Sequence, residues 1–272
     1  MILNFIEWSV NPEIFSIGKF AIRWYGLLFA LTFIVGYYII GAIFKNEGMP
    51  AQATDQAATY MLISTIIGAR LGHCLFYEPG YYLSNPISIL KVWEGGLASH
   101  GAAIGILIGL YLFSRKNKKT YLWTLDRVII TVALAGFFIR TGNLFNSEIY
   151  GHATNVPWAF IFTRDDNIAR HPTQLYEALV NLLIFFYLLR YYWKRGGKVA
   201  EGYLFSMFLI LIFTSRFIIE FYKEPQVNFE NNLILNMGQS LSIPFIIGGV
   251  LILIWSKRKN KKPLSHEDTK IH

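Results

Sequence analysis

The chain has 272 residues, of which 54% are hydrophobic, 17% aromatic and only 15% charged, with a mean hydropathy of +0.38. Soluble globular chains carry about 25% charged residues, so this deficit argues for lipid as the solvent. The net charge of +8 does not mark a nucleic-acid binder, because the basic residues lie in short runs between apolar segments. The single cysteine, Cys74, excludes an internal disulfide and any multi-cysteine metal site.

A membrane-crossing helix needs about 20 mostly apolar residues. Seven segments fit that pattern, at 20–44, 57–77, 96–114, 123–141, 176–193, 202–222 and 239–256. The first is preceded by Glu7, Glu13 and only Lys19 and is longer than a signal-peptide apolar region, so it is expected to stay as a spanning helix. Basic residues cluster after the third segment (Arg115, Lys116, Lys118, Lys119), after the fifth (Arg190, Lys194, Arg195, Lys198) and in the tail (Lys257, Arg258, Lys259, Lys261, Lys262). The alternate connections hold only Lys91, Arg164 with Arg170, and Lys223. The positive-inside bias then sets the N-terminus outside and the C-terminus in the cytoplasm.

The expected fold is an all-α membrane protein of about seven transmembrane helices, forming a single polytopic domain over residues 1–256. A small exterior head is expected over about 143–175, where Pro157, Arg164, Asp165, Asp166 and His171 make the chain too polar for lipid. Residues 257–272 read as a basic cytoplasmic tail. No internal repeat is found, which weighs against an inverted-repeat transporter.

The chemistry concentrates in I-R-T-G-N-L-F-N-S-E-I-Y-G (139–151), where Arg140, Asn143, Asn146 and Glu148 fall within nine residues at the end of an apolar helix. An arginine at the edge of the hydrocarbon is costly and faces a partner, a cavity or a polar ligand. Its planar fork of donors suits phosphate. A cation, two amides and a carboxylate at a membrane boundary point to the headgroup of an anionic lipid.

Other constellations leave alternatives open. His100 lies in a small, apolar helix with Gly101, Gly105 and Gly109. It can serve as a proton acceptor near neutrality, or it can be a histidine bonded to a neighbouring helix; the glycines permit close helix approach. Arg216 and Glu220 share a helix face, as an internal ion pair or as half of a phosphate clamp with Arg140. Trp24 and Tyr25 in I-R-W-Y-G are interfacial anchors by default, and Arg70 is ambiguous in the same way. H-P-T-Q-L-Y-E (171–177) is explained by a helix cap and an anchor, or by a direct site role. Cys74, beside Leu75 and Phe76, reads as a small hydrophobe. No G-x-S-x-G elbow, H-E-x-x-H helix or P-loop is present.

These motifs in this order resemble the prolipoprotein diacylglyceryl transferase family over nearly the whole chain. The resemblance runs from F-S-I-G and I-R-W-Y-G through G-A-R-L-G-H-C-L-F-Y and V-W-E-G-G-L-A-S-H-G. It continues in R-T-G-N-L-F-N-S-E-I-Y-G, H-P-T-Q-L-Y-E and R-F-I-I-E-F-Y, and ends at M-G-Q-S-L-S-I-P. It implies transfer of a diacylglyceryl group from phosphatidylglycerol to the lipobox cysteine of a preprolipoprotein signal peptide in the bacterial inner membrane. The products are a thioether-linked lipoprotein and glycerol 1-phosphate, with no metal or organic cofactor and no nucleic acid. The family's phosphatidylglycerol-binding arginine falls on Arg140. Its other motif positions fall on Tyr25, His100, Asn143, Asn146, Glu148, Gly151, Arg216 and Glu220. The chain departs from the family's H-G-G-L at Ala102 and Ala103, from its glycine at Ile139, and from its phenylalanine at Leu144. Every charged or polar group is kept, so the chemistry is expected to survive.

In the implied mechanism Arg140 and Arg216 hold the phosphate and Asn143 and Asn146 orient glycerol or phosphate oxygens. Glu148 and Glu220 fix the arginines or accept protons, and His100 is the candidate base. A lipid flippase using the same arginines, or a silent scaffold that binds lipid, is the rival from another class; thioether formation separates them.

Overall fold

A computed structural model of the chain describes residues 5–18, 20–224 and 235–261. In chain order, β1 (Ile6–Trp8), β2 (Glu13–Ile17) and β3 (Phe20–Arg23) precede α1 (Trp24–Asn46) and α2 (Gln52–Phe76). A short α3 (Pro79–Ser84) and two 3-10 turns lead to α4 (Ser99–Lys116) and α5 (Tyr121–Asn146). Then come β4 (Phe160–Phe162), β5 (Ala169–Arg170), α6 (Thr173–Lys194), α7 (Tyr203–Ile219) and α8 (Met237–Lys261).

Among the described residues six helices are long and apolar enough to cross a membrane: α1, α2, α5, α6, α8, and α7 continued by a 3-10 turn to Tyr222. The chain is thus a mostly helical, multi-pass membrane protein. The expected segment 96–114 is helical as α4, but it has 18 residues with Arg115 and Lys116 in its last turn and is not among the six. Residues 20–23 pair as a strand, so α1 begins at Trp24. Polar first or last turns, such as Gln52–Gln56 in α2 and Gly142–Asn146 in α5, carry helices beyond their apolar runs. The basic tail starts as helix, since α8 reaches Lys261, and 262–272 lie outside the described residues. Protein encloses 56% of the apolar stretch of α5 but only 17–39% of the other five, whose remaining apolar faces suit lipid.

Two compact units divide the chain, residues 1–39 with 126–272 and residues 40–125. In the second, α2 and α4 cross backbone against backbone at Gly68, Gly72, Gly101 and Gly105. A Cβ on Gly72 would lie 2.7 Å from the Gly101 Cα, and one on Gly105 would lie 3.0 Å from the Gly68 Cα. Small residues let the helices meet backbone to backbone, where dispersion replaces the absent hydrophobic drive. Arg70 of α2 is buried and clasps the following turns, donating to the carbonyls of Ile89 (2.9 Å), Ser88 (2.5 Å) and Gly95 (2.5 Å), with Tyr82 under its guanidinium. These contacts hold the turns after α2 against the helix. The clasped segment presents Leu83, Ile87, Leu90 and Trp93, all largely exposed, a composition suited to the headgroup–acyl boundary.

In the first unit, β1, β4 and β5 form a sheet in that order, with β1 parallel to β4 and β5 antiparallel to it. Leu144, Phe160 and Phe162 make its core, and Trp8, Tyr150 and Leu175 pack on it. The head expected between α5 and α6 is therefore a small sheet that also recruits the N-terminal strand. Below it, α5 caps α7: Asp126 accepts from the backbone N–H of Gly202 (2.6 Å) and Phe205 (2.9 Å), where Gly202 turns through φ 81°. Asn236 and Gln239 exchange side-chain-to-backbone bonds at the start of α8, a capping box.

Gly105→Ala should lower the thermal midpoint in detergent, because its Cβ meets backbone and overpacking costs about 1–3 kcal/mol. Gly80→Ala, with open space around it, is the control. Equal midpoints for the two variants would refute the close-crossing account.

Candidate functional site

The last turns of α5 carry Arg140, Asn143 and Asn146, three polar residues that helical spacing sets along one side. Tyr25 of α1, Arg140 and Asn143 of α5, Glu177 and Asn181 of α6, and Arg216 of α7 share one cavity of about 360 Å³. Glycines on α5 shape its walls. A Cβ on Gly142 would lie 2.8 Å from the Tyr25 ring, and one on Gly136 would collide with the Asn181 amide.

Arg140 is held on two sides. Its Nη1 donates to Asn143 Oδ1 at 3.3 Å, and its Nε lies 2.8 Å from Glu177 Oε2. That carboxylate oxygen receives no well-directed hydrogen bond, so the contact is an ion pair and not a locked donor line. Asn143 and Asn146 each donate through Nδ2 to Glu148 Oε1, at 2.7 and 3.1 Å. Both amides thereby keep Glu148 at the end of α5.

Arg216 of α7 sits 4.0 Å from Glu220, too far for a hydrogen bond. Its Nε and the Glu220 Oε2 are both enclosed without a hydrogen-bond partner among the described residues. A buried donor left open calls for an acceptor from water, an ion or a ligand. The Glu220 carboxylate lies against Gly238 in the first turn of α8, where a Cβ would stand within 2.6 Å of it, and the helix N-terminus favours its charge. Lys223 completes the group, donating to Glu177 Oε1 at 2.7 Å and standing 3.5 Å from Glu220 Oε2.

Of the residues singled out in the sequence, Tyr25, Arg140, Asn143 and Arg216 meet at the cavity. Glu148 and Asn146 join through Asn143, and Glu220 through Arg216. Gly151 packs against the Tyr222 carbonyl with His171 and Thr173 around it, leaving no room for a side chain. His100 is described in the other unit, in the first turn of α4, with its side chain exposed. In the head, a hydrogen bond from Arg170 holds Asp166 below its ordinary value, and burial does the same to the His171 imidazole.

Asn181 and Lys223 lie outside the residues the sequence offered for the site, and Glu177 is among them only within H-P-T-Q-L-Y-E, whose site role the sequence left open. A signal existed for each. Glu177 and Asn181 are polar at i, i+4 in an apolar helix, and Lys223 continues the face of Arg216 and Glu220 at i+7 and i+3. Among the described residues no group of three His, Cys, Asp or Glu could hold a metal ion.

The family model described as prolipoprotein diacylglyceryl transferase matches residues 12–255. A Chloroherpeton thalassium protein named phosphatidylglycerol–prolipoprotein diacylglyceryl transferase is 47% identical over 94% of this chain and 96% of its own length. Proteins of the same name from Tolumonas auensis and Porphyromonas gingivalis are 44% and 43% identical, over 94% and 97% of this chain and 99% and 98% of theirs. With a match that runs from β2 into α8 and includes both helices that carry the two arginines, the chain belongs to the prolipoprotein diacylglyceryl transferase family.

Proposed function

We propose that the chain transfers the diacylglyceryl group of phosphatidylglycerol to the lipobox cysteine of preprolipoproteins, the first step of bacterial lipoprotein maturation. The sulfur attacks the diacylglyceryl carbon bonded to phosphate, the C–O bond breaks, and its electron pair leaves with glycerol 1-phosphate. The thiol proton goes to a base. The reaction needs a cationic site for the phosphate and a proton acceptor for a thiol whose ordinary pKa is about 8.5.

The observation that carries this reading is the pair of arginines, Arg140 and Arg216, on one cavity in a member of this family. Arg140 and Arg216 hold the phosphate, Asn143 and Tyr25 orient headgroup oxygens, and Asn146 acts through Glu148. Glu148 and Glu220 fix the donors, Gly151 keeps the head closed against α6, and His100 is the proton acceptor. The protein lies in the bacterial inner membrane as one polytopic domain, with α4 as a short seventh crossing. Its N-terminus and the head face outward and the basic tail faces the cytoplasm, as the charge asymmetry supports.

Purified protein given phosphatidylglycerol and a lipobox peptide should add one diacylglyceryl mass to the peptide cysteine. Arg140→Lys should lower turnover by about 10²–10³-fold, the effect of losing one preorganised donor at a developing anion. Absence of the product from a folded wild type that still binds the lipid would favour a lipid carrier or scaffold. A lysine variant with normal rate would remove Arg140 from the phosphate site.

His100→Ala should reduce kcat by about 10²–10⁴-fold if the imidazole takes the thiol proton. Turnover close to wild type at normal protein level would assign the proton to another group.

A further inference from the structure

Five charges of alternating sign run behind the cavity, in the order Arg140, Glu177, Lys223, Glu220, Arg216. Only the two arginines at the ends face the cavity as cations. Lys223 is the middle of the row. Its side chain is 4% exposed, its Nζ donates to Glu177 Oε1 at 2.7 Å, and it stands 3.5 Å from Glu220 Oε2. We infer that Lys223 is a positioning residue for both arginines, acting through Glu177 and Glu220, and that it sets affinity for the phosphate of phosphatidylglycerol. The inference rests on the transfer reaction proposed above.

The geometry explains why a third cation is needed. Glu177 has two oxygens: Lys223 takes Oε1 through a directed hydrogen bond, and only Oε2 is left to Arg140 Nε. Without the ammonium, both oxygens can turn to the guanidinium and form the bidentate pair that carboxylates prefer, which occupies the donors a phosphate needs. Lys223 draws Glu220 in the same way, so that carboxylate stands 3.5 Å from the ammonium and 4.0 Å from Arg216. The arginines remain charged, oriented and incompletely paired.

Lys223 can reach this point because its backbone is clipped to the head. It bridges Gly151, whose own N–H donates to the His171 carbonyl at 2.8 Å, while His152 N–H donates to the Tyr222 carbonyl at 2.9 Å. A Cβ on Gly151 would strike that Tyr222 carbonyl. The glycine thus belongs to the same device, admitting the turn that delivers the lysine.

The test varies each substrate in turn with Lys223→Met and Lys223→Arg, alongside direct binding of phosphatidylglycerol in detergent with no peptide present. Lys223→Met should raise the KM and Kd for phosphatidylglycerol about tenfold or more while the peptide KM stays within about twofold, and Lys223→Arg, which keeps a cation between the two carboxylates, should recover most of the loss. If Lys223→Met does not accumulate, Glu177→Gln/Glu220→Gln and the triple variant that adds Lys223→Met replace it, and the two should match in lipid affinity, since the lysine acts through those two carboxylates. An unchanged lipid KM, an equal rise in both KM values, or no recovery by arginine would overturn the assignment. So would a triple variant much weaker than Glu177→Gln/Glu220→Gln. Because lipid binding is read without turnover, a wild type that binds but fails to transfer defeats the reaction proposed above and not this assignment.

Discussion

Glu177 has two carboxylate oxygens and two cations to serve, Lys223 at 2.7 Å and Arg140 at 2.8 Å. Its side chain is 6% exposed and that of Lys223 only 4%, so neither charge can turn to water. Removing one member of such a pair leaves an uncompensated buried charge and costs about 3–5 kcal/mol. The pair is therefore fixed first, and the more exposed arginines are placed relative to it. Arg140 and Arg216 are 22% and 41% exposed at their side chains, which leaves their outer donors available. An anion site built this way keeps the cations in register by burying their counter-ions rather than by burying the cations themselves.

The turn after α5 shows a second constraint of the same kind. Ser147 and Ile149 adopt φ values of 57° and 61°, the left-handed region, and Ile149 is β-branched. Such conformations cost about 1–3 kcal/mol each and persist only where the surroundings hold them. Here Glu148 N–H donates to the Asn143 carbonyl at 3.1 Å, and Thr173 Oγ1 donates to the Ile149 carbonyl at 2.9 Å. The strain has a geometric consequence. In a continued helix Glu148 could not face Asn146, because residues two apart point to different sides. The left-handed turn folds its carboxylate back so that Asn143 and Asn146 both reach it.

These two features also mark where the sequence stops being legible. The spans were readable because an apolar run long enough for the bilayer has few other uses, and the glycines of α4 announced a close crossing that α2 supplies. The cluster from Arg140 to Glu148 stood out because polar groups are rare in such runs. Arg70 could not be assigned, since its carbonyl acceptors lie 18–25 residues further on and carry no side-chain signature. The strands of the head are two or three residues long, and β1 pairs with a strand about 150 residues away, so no period betrays them. Glu177 and Lys223 are 46 residues apart, and each has a bland local explanation, a helix mouth and a helix end. Arg216 and Glu220 could be read as a closed ion pair from their spacing. The 4.0 Å separation makes them an open one.

That open pair matters most for the proposed chemistry. A phosphodiester enters with one negative charge, and the departing glycerol phosphate gains another as the C–O bond breaks. Only interactions that strengthen along this change accelerate it. A guanidinium already saturated by a carboxylate would offer the same contacts throughout. Arg216 instead holds an enclosed Nε with no hydrogen-bond partner among the described residues, beside a carboxylate that Lys223 draws away from it. Its donor is oriented before the charge appears and needs no reorganisation when it does, the condition under which electrostatic stabilisation is largest.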